Sequence, residues 1–241
     1  MPLRLQTVAA MIGTAFGLSN PSAVDSPIRI LPFSWLFNIT ALSGPGCPDF
    51  GQAAPPYVTR PTFGSNTVDG SEIYYWHFAY PHLRASVGPN RTETSIWCET
   101  TLSYAELDKS GKVAVEPGYR LKLHKNGTAV LASYDLDDGV EVTWKVTYFT
   151  GEGSEIVDTL TIAGPRGHGS YRDTSHMGGL EQWAVPKCGT ATIRYRTELT
   201  MLAKKESARG TVSSEEVQYE GKTEYYGVQQ GVSYDWEKCT V

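Results

Sequence analysis

The most regular feature of this chain is a set of segments in which apolar and polar residues alternate. One segment has the apolar series Val140, Val142, Trp144, Val146 and Tyr148. Another has the series Ile193, Tyr195, Thr197, Leu199 and Met201. Successive side chains of a β-strand point to opposite faces, so a period of two predicts strands with one buried face. A third segment, Ser71 to Tyr80, is rich in aromatic residues and predicts another strand.

Short turn signals separate the predicted strands. Examples are Pro117-Gly118, Asp138-Gly139 and Asn126-Gly127, and the last of these predicts the tight turn of a hairpin. Two segments rich in Gly or Pro, Ser43 to Gly70 and Gly164 to Gly179, predict long loops. About ten short strands joined by close turns predict an all-β fold. We therefore expect a disulfide-stapled β-sandwich or flattened barrel with long rim loops.

The N-terminus has a different pattern. Arg4 precedes a short apolar run, Val8 to Leu18, that contains several small residues, and this order is typical of a secretory signal peptide over residues 1–17. The alternative is a buried first helix. Residues 18–41 are then an N-terminal extension or a first strand, and residues 42–241 a single β domain. No later run of eighteen apolar residues exists, so no stable membrane span is predicted.

Composition and charge narrow the possible partners. The chain has 241 residues, enough for one large β domain, and a formal net charge of −5. Its lysines and arginines do not gather into a basic stripe, so a nucleic-acid partner is not expected. Three N-x-[ST] triplets begin at Asn38, Asn90 and Asn126. Together with the signal-like start they predict a secreted glycoprotein, with glycans on at least two of the three asparagines.

The four cysteines fit the same compartment. An even number of cysteines in a secreted chain predicts two disulfides, and no pair is spaced as in a structural zinc site. Three connectivities are possible. We favour the pairing of neighbours along the chain, Cys47 with Cys98 and Cys188 with Cys239, each of which closes a loop of about fifty residues.

Motifs of catalysis are absent from the sequence. The nucleophile-elbow, zinc-protease and phosphate-loop patterns do not occur, and the five histidines have no metal-ligand spacing. We therefore predict no metal and no cofactor. The Gly-rich segment after Gly164 is predicted to be a flexible loop. Four of its residues are candidates to line the mouth of a ligand site: Arg166, His168, Tyr171 and Arg172.

Aromatic residues are abundant, with six Trp and fourteen Tyr. They can pack over disulfides in a core, or they can line a cavity for a large apolar or conjugated ligand. Trp76 and Trp183 lie beside predicted loops and are the better candidates for a cavity.

Several landmarks resemble a family of small secreted proteins catalogued as a domain of unknown function. They are Gly44-Pro-Gly-Cys47-Pro48, Trp97-Cys98, Pro117-Gly118-Tyr119, Tyr148-Phe-Thr-Gly151, Cys188-Gly189 and Trp236-Glu-Lys-Cys239. The resemblance covers about residues 42–239 and its most specific part is the order and spacing of the cysteines. It implies a secreted all-β fold and implies no activity.

The size, glycosylation signals, disulfides and aromatic content also resemble fungal hetero-Diels–Alderases of tropolone–sesquiterpenoid biosynthesis. This resemblance implies a cofactor-independent [4+2] cyclase that joins a tropolone quinone methide to a humulene-type sesquiterpene, both hydrophobic small molecules. Trp76, Tyr80 and Trp183 would line the cavity, and His77, Arg166, His168 and Tyr171 would act as catalytic groups that orient the reactants. Such an enzyme needs near-attack geometry and a hydrogen-bond donor rather than a nucleophile.

The alternative is a non-catalytic secreted binding protein, such as a fungal effector or a cell-wall glycan binder. Aromatic side chains on a β face would then stack on sugar rings. The shape of the site separates the two hypotheses. Two co-bound apolar reactants need an enclosed pocket of several hundred Å³, whereas a glycan binder needs an open surface.

Overall fold

The structure, a computed structural model, describes residues 31–50, 58–66, 74–151, 153–175 and 183–239. The predicted signal peptide therefore lies outside the described residues. The described part of the chain has no helix that is long and apolar enough to cross a membrane. Its secondary structure consists of antiparallel β-strands, which confirms the all-β prediction.

Fifteen strands follow one another along the described chain. They are β1 (Ser34–Ser43), β2 (Arg60–Asn66), β3 (Tyr74–Tyr80), β4 (Ala85–Val87), β5 (Glu93–Leu107), β6 (Tyr119–Leu136), β7 (Val140–Gly151), β8 (Ser154–Ala163), β9 (Arg166–Thr174), β10 (Trp183–Ala184), β11 (Thr190–Ala203), β12 (Gly210–Ser213), β13 (Glu216–Tyr219), β14 (Lys222–Tyr225) and β15 (Val228–Lys238). β1 crosses residue 42, where the sequence analysis places the start of the β domain.

The long strands form two open sheets, so the architecture is the sandwich and not the flattened barrel. The first sheet has the order β1-β5-β11-β7-β8. The second has the order β2-β3-β15-β6-β12-β4, and β9 and β10 also pair with β6. A separate hairpin, β13-β14, leaves the second sheet between β12 and β15.

The alternation seen in the sequence packs the two sheets against each other. In β7 the side chains of Val142, Trp144 and Val146 are buried while Lys145 is exposed. The apolar series of β11, from Ile193 to Met201, is buried in the same way. Each fully buried Leu, Ile or Val side chain contributes about 1.5–3 kcal/mol. Burial of one face of each sheet is therefore the main stabilising contribution to the sandwich.

Both predicted disulfides are confirmed. Cys47 bonds Cys98 and thereby joins the segment after β1 to the strand β5. Cys188 bonds Cys239 and joins the end of β15 to the segment before β11. Covalent links of this kind fit an oxidising compartment.

Two sequence predictions of local structure were wrong. Asn126-Gly127 is not a hairpin turn: β6 continues through it, with positive φ angles at His124 (63°) and Gly127 (70°). The pairing of β6 with β15 shifts register there, so the extra residues form a bulge. The predicted loop after Gly164 contains the strand β9. This strand buries little on either face, so its sequence carries no clear alternation.

Candidate functional site

Two predicted pocket residues, Tyr80 and Trp76, lie on the inner face of β3. Tyr80 is fully buried, and its hydroxyl lies 2.7 Å from that of Tyr195 and 3.0 Å from that of Thr100. Burial raises the pKa of Tyr80 to about 12, although both hydrogen bonds act in the opposite direction, so this hydroxyl stays protonated. Trp76 packs on Phe37, with 3.8 Å between ring centroids. Both residues therefore take part in packing between the sheets.

Trp76 belongs to a larger cluster of aromatic rings between β1 and the second sheet. The members in ring contact are Trp35, Phe37, Tyr74, Trp76, Tyr104, Tyr234 and Trp236. The closest indole pair, Trp35 and Trp236, has centroids 4.4 Å apart. Trp236 Nε1 also donates a hydrogen bond of 2.9 Å to Tyr104 Oη. Aromatic side chains thus fill the apolar region where the sequence predicts a cavity.

His77 and Trp183 lie apart from this cluster and from each other. His77 is buried on the opposite face of β3, next to Gly231, where an added β-carbon would lie 2.9 Å from His77 Nε2. Trp183 is half-buried in the short strand β10, opposite Leu123 of β6. The structure therefore does not gather the predicted pocket residues around one opening.

Arg166 and Tyr171 form a local arrangement on β9. The Arg166 guanidinium lies 4.0 Å from the ring centroid of Tyr171 and 4.8 Å from that of Tyr134. It also pairs with Asp173 at 3.1 Å. Tyr171 Oη donates to the carbonyl of Gly167 at 3.1 Å. These contacts fix the side chain of Arg166 and use its charge within the protein.

His168 is the predicted site residue that lies at a large surface groove. This groove, called the arginine groove below, has a volume of about 590 Å³. Its lining residues are Pro45, Arg84, Ala85, Ser86, Arg91, Thr94, Ser95, Ile96, His168, Thr211, Val212, Ser213, Glu216 and Tyr225. The volume is within the range of small-molecule sites, about 300–1,000 Å³.

Secondary structure holds the charged residues of the groove in place. Arg91 ends a tight turn in which Gly88 and Arg91 exchange two backbone hydrogen bonds of 2.9 Å. Arg84 immediately precedes β4, whose Ser86 pairs with Thr211 of β12. Glu216 and Tyr225 are directly opposite each other in the β13-β14 hairpin. Elements distant in sequence thus converge on one opening.

The groove has a cationic character in a chain of net negative charge. Arg84 lies over the ring of Tyr225, 3.8 Å from its centroid, and Tyr225 Oη donates a long hydrogen bond of 3.4 Å to Glu216. Arg91 and His168 add further basic groups, and Glu216 is the carboxylate in the lining. A guanidinium group provides paired donors for a carboxylate, and the groove offers two such groups, Arg84 and Arg91.

Sequence reasoning missed Arg84, Arg91, Glu216 and Tyr225. Arg91 is the middle residue of the Asn90 triplet, and Arg84 follows an aromatic strand, but neither position belongs to a chemical motif. The sequence signal closest to the groove is the Asn90 glycosylation triplet itself. In the structure Asn90 and Asn38 are both exposed, so both triplets are accessible for glycosylation. Within the described residues, no group of three or more His, Cys, Asp or Glu side chains is placed to hold a metal ion.

Comparisons with known proteins give little similarity. No protein-family model matches the chain, and no curated protein matches it. Among solved structures, the chain is similar to TmCBM61 bound to β-1,4-galactotriose, with 13% identity, 75% of this chain and 85% of that chain covered, and a TM-score of 0.21. It is also similar to the enzymatically active domain of bacteriophage CBA120 tailspike protein 4, with 10% identity and a TM-score of 0.20. That match covers 85% of this chain and 20% of the tailspike chain. Neither similarity bears on function at these TM-scores.

Proposed function

We propose that this is a secreted protein that binds an acidic saccharide in the arginine groove. The observation that carries the proposal is the pairing state of the arginines. Arg120, Arg166, Arg194 and Arg196 each form an ion pair with a carboxylate. Among the described residues, five arginines form no such pair: Arg60, Arg84, Arg91, Arg172 and Arg209. Of these five, Arg84 and Arg91 line the same groove. Two cations at one opening, neither of them paired with a carboxylate, favour an anionic ligand.

The other lining residues fit the remaining chemistry of a saccharide. Hydroxyl groups line the groove at Ser86, Thr94, Ser95, Thr211 and Ser213, where they can exchange hydrogen bonds with sugar hydroxyls. Apolar lining from Pro45, Ala85 and Ile96 can contact the C–H faces of a sugar ring. The ring of Tyr225 holds Arg84 in place, which lowers the entropy lost when its guanidinium engages a carboxylate.

Cycloaddition, the activity implied by one resemblance, stays a prediction. It requires two apolar reactants enclosed together, with water excluded. The arginine groove is open and carries two arginines, and aromatic rings pack against one another in the interior. For this reason we place saccharide binding first. A direct assay with a hydroxymethyl-tropolone and humulene checks the alternative: an adduct rate above the protein-free control would favour the enzyme.

Binding of digalacturonate to the purified glycoprotein tests the proposal. We expect digalacturonate to bind at least about tenfold more tightly than neutral digalactose, a difference of roughly 1.4 kcal/mol. The double variant Arg84→Gln/Arg91→Gln should lose this preference, and Lys109→Gln, at an exposed loop position, should retain it. Isothermal titration calorimetry at two salt concentrations measures both effects, since charge pairing weakens at high salt. Equal affinity for the acidic and the neutral saccharide would contradict the proposal.

A further inference from the structure

A second groove lies on the outer face of the first sheet. This outer-face groove has a volume of about 520 Å³, and its lining residues are Ser103, Tyr104, Ala105, Pro186, Lys187, Thr190, Ala191 and Thr192. The side chains of Ser103, Ala105, Thr190 and Thr192 alternate along β5 and β11 with the buried side chains of Leu102, Tyr104 and Ile193. These four side chains are therefore on the side of the first sheet away from the core. The groove lies toward the other end of β5 from Thr94, Ser95 and Ile96, which line the arginine groove.

The glycosylation triplet at Asn38 is next to this groove. Asn38 of the edge strand β1 is paired with Ser103 of β5, and Ser103 is paired with Thr192 of β11. Directly paired residues of antiparallel strands have side chains on the same face, about 4.5–5.5 Å apart. Phe37 packs inward on Tyr104, so its neighbour Asn38 points outward, and Asn38 is exposed. A sugar attached to Asn38 would begin one strand away from the floor of the groove.

The chemistry of the outer-face groove matches the core of an N-glycan. Its lining provides the hydroxyl groups of Ser103, Thr190 and Thr192, and Lys187 is the charged residue among its lining residues. Leu36, which is 46% exposed, lies opposite Ala105 and extends the apolar part of this surface. The hydroxyl groups and C–H faces of a saccharide fit the hydroxyl and apolar parts of this lining.

We propose that Asn38 carries an N-glycan whose first sugars pack into the outer-face groove. The inference requires that the protein pass through a glycosylating secretory pathway, and it does not depend on what the arginine groove binds.

Site-resolved enzymatic deglycosylation tests this inference. The protein is secreted from a eukaryotic host, treated with an N-glycosidase in its native state and after denaturation, and analysed by peptide mass spectrometry. For each site, the rate of glycan release after denaturation is divided by the rate in the native state. We expect this ratio to be about tenfold larger at Asn38 than at Asn90, the factor that corresponds to roughly 1.4 kcal/mol of docking free energy. Asn90 serves as the internal comparison because it is exposed beside a turn.

A matched pair of variants on β11 locates the contact. Thr192→Trp fills the groove and should bring native release at Asn38 to the rate at Asn90. Thr200→Trp, on the same face of β11 but opposite Ser95, should leave the slow release unchanged. An unmodified Asn38, or equal native protection at Asn38 and Asn90 in the wild-type protein, would overturn the inference. Since no saccharide ligand is present, either result leaves the proposed ligand binding unaffected.

Discussion

Replacement of Asp158 by asparagine is expected to lower the free energy of unfolding by about 3 kcal/mol at pH 7, because the buried groups that hydrogen-bond to the carboxylate would be left with a poorer partner. Asp158 and His124 are each about 1% exposed at the side chain, and Asp158 Oδ2 lies 2.8 Å from His124 Nε2. Ser175 Oγ donates to the same carboxylate oxygen at 2.8 Å. The carboxylate thus links β8, β6 and the end of β9 in the core.

The surrounding backbone leaves little room for rearrangement. Ser175 Oγ accepts a hydrogen bond of 2.9 Å from the backbone N–H of Thr128. Gly127 has a φ of 70°, and an added β-carbon there would lie 2.4 Å from Ser175 Oγ. The bulge in β6 thereby brings both His124 and Thr128 close to the carboxylate of Asp158. Loss of the Asp158 charge would leave these groups with poorer partners inside the core.

The contribution of Asp158 to stability should depend on pH. Burial by itself would raise the pKa of this carboxyl, but the hydrogen bond and charge of His124, with Ser175 and Thr128, outweigh burial and hold the pKa below its ordinary value. A group with a lowered folded-state pKa stabilises the fold above its unfolded pKa, about 3.9. That contribution is lost as the pH falls through the lowered folded-state pKa.

Urea unfolding of the wild-type protein and Asp158→Asn at pH 7, 5 and 3 measures this effect. The difference between the two proteins should be complete at pH 7 and 5 and smaller at pH 3. Glu155→Gln, at an exposed position of the same strand, is the control and should change stability by no more than about 0.5 kcal/mol. A difference that stays constant down to pH 3 would argue against the assigned role of the carboxylate.

Alternation made the sheets predictable from the sequence. The apolar series of β7 and β11 bury one face of each strand, so the period of two is visible without a structure. The bulge at Gly127 was not predictable because Asn-Gly is also the usual sequence of a hairpin turn. Pairing with β15 on both sides of the bulge decides between these conformations, and that pairing is distant in sequence.

The arginine groove was hidden for a related reason. Arg84, His168, Glu216 and Tyr225 come from four separate segments, which strand pairing brings together. His168 was identified as a candidate because it lies within the Gly-rich segment after Gly164, which was predicted to be a loop, although the strand β9 holds it. Aromatic abundance pointed to a cavity, but most of these rings pack between the sheets. Composition cannot distinguish a ring that fills a core from one that lines a site.

The two disulfides should contribute unequally to stability although they close loops of equal length. Each joins cysteines 51 positions apart, so the chain-entropy estimate gives about 4 kcal/mol for either bridge. Cys47 and Cys98 are 2% and 0% exposed, whereas Cys188 and Cys239 are only half-buried. Removal of Cys47–Cys98 also takes buried sulfur out of a packed core, which adds a cavity cost that the other bridge lacks.

We therefore expect Cys47→Ala/Cys98→Ala to destabilise the protein more than Cys188→Ala/Cys239→Ala, with a loss of about 4 kcal/mol or more. Urea unfolding of both double variants at pH 7 measures the difference.

Reduction of the wild-type protein gives an independent check, because a thiolate must reach the sulfur that it attacks. A mild reductant should cleave the half-buried Cys188–Cys239 bridge first, and peptide mapping with thiol alkylation reports the order. The expectation would be contradicted if the two double variants lost equal free energy of unfolding and the two disulfides were reduced at the same time. In that case loop length alone, and not burial, would set the contribution of each bridge.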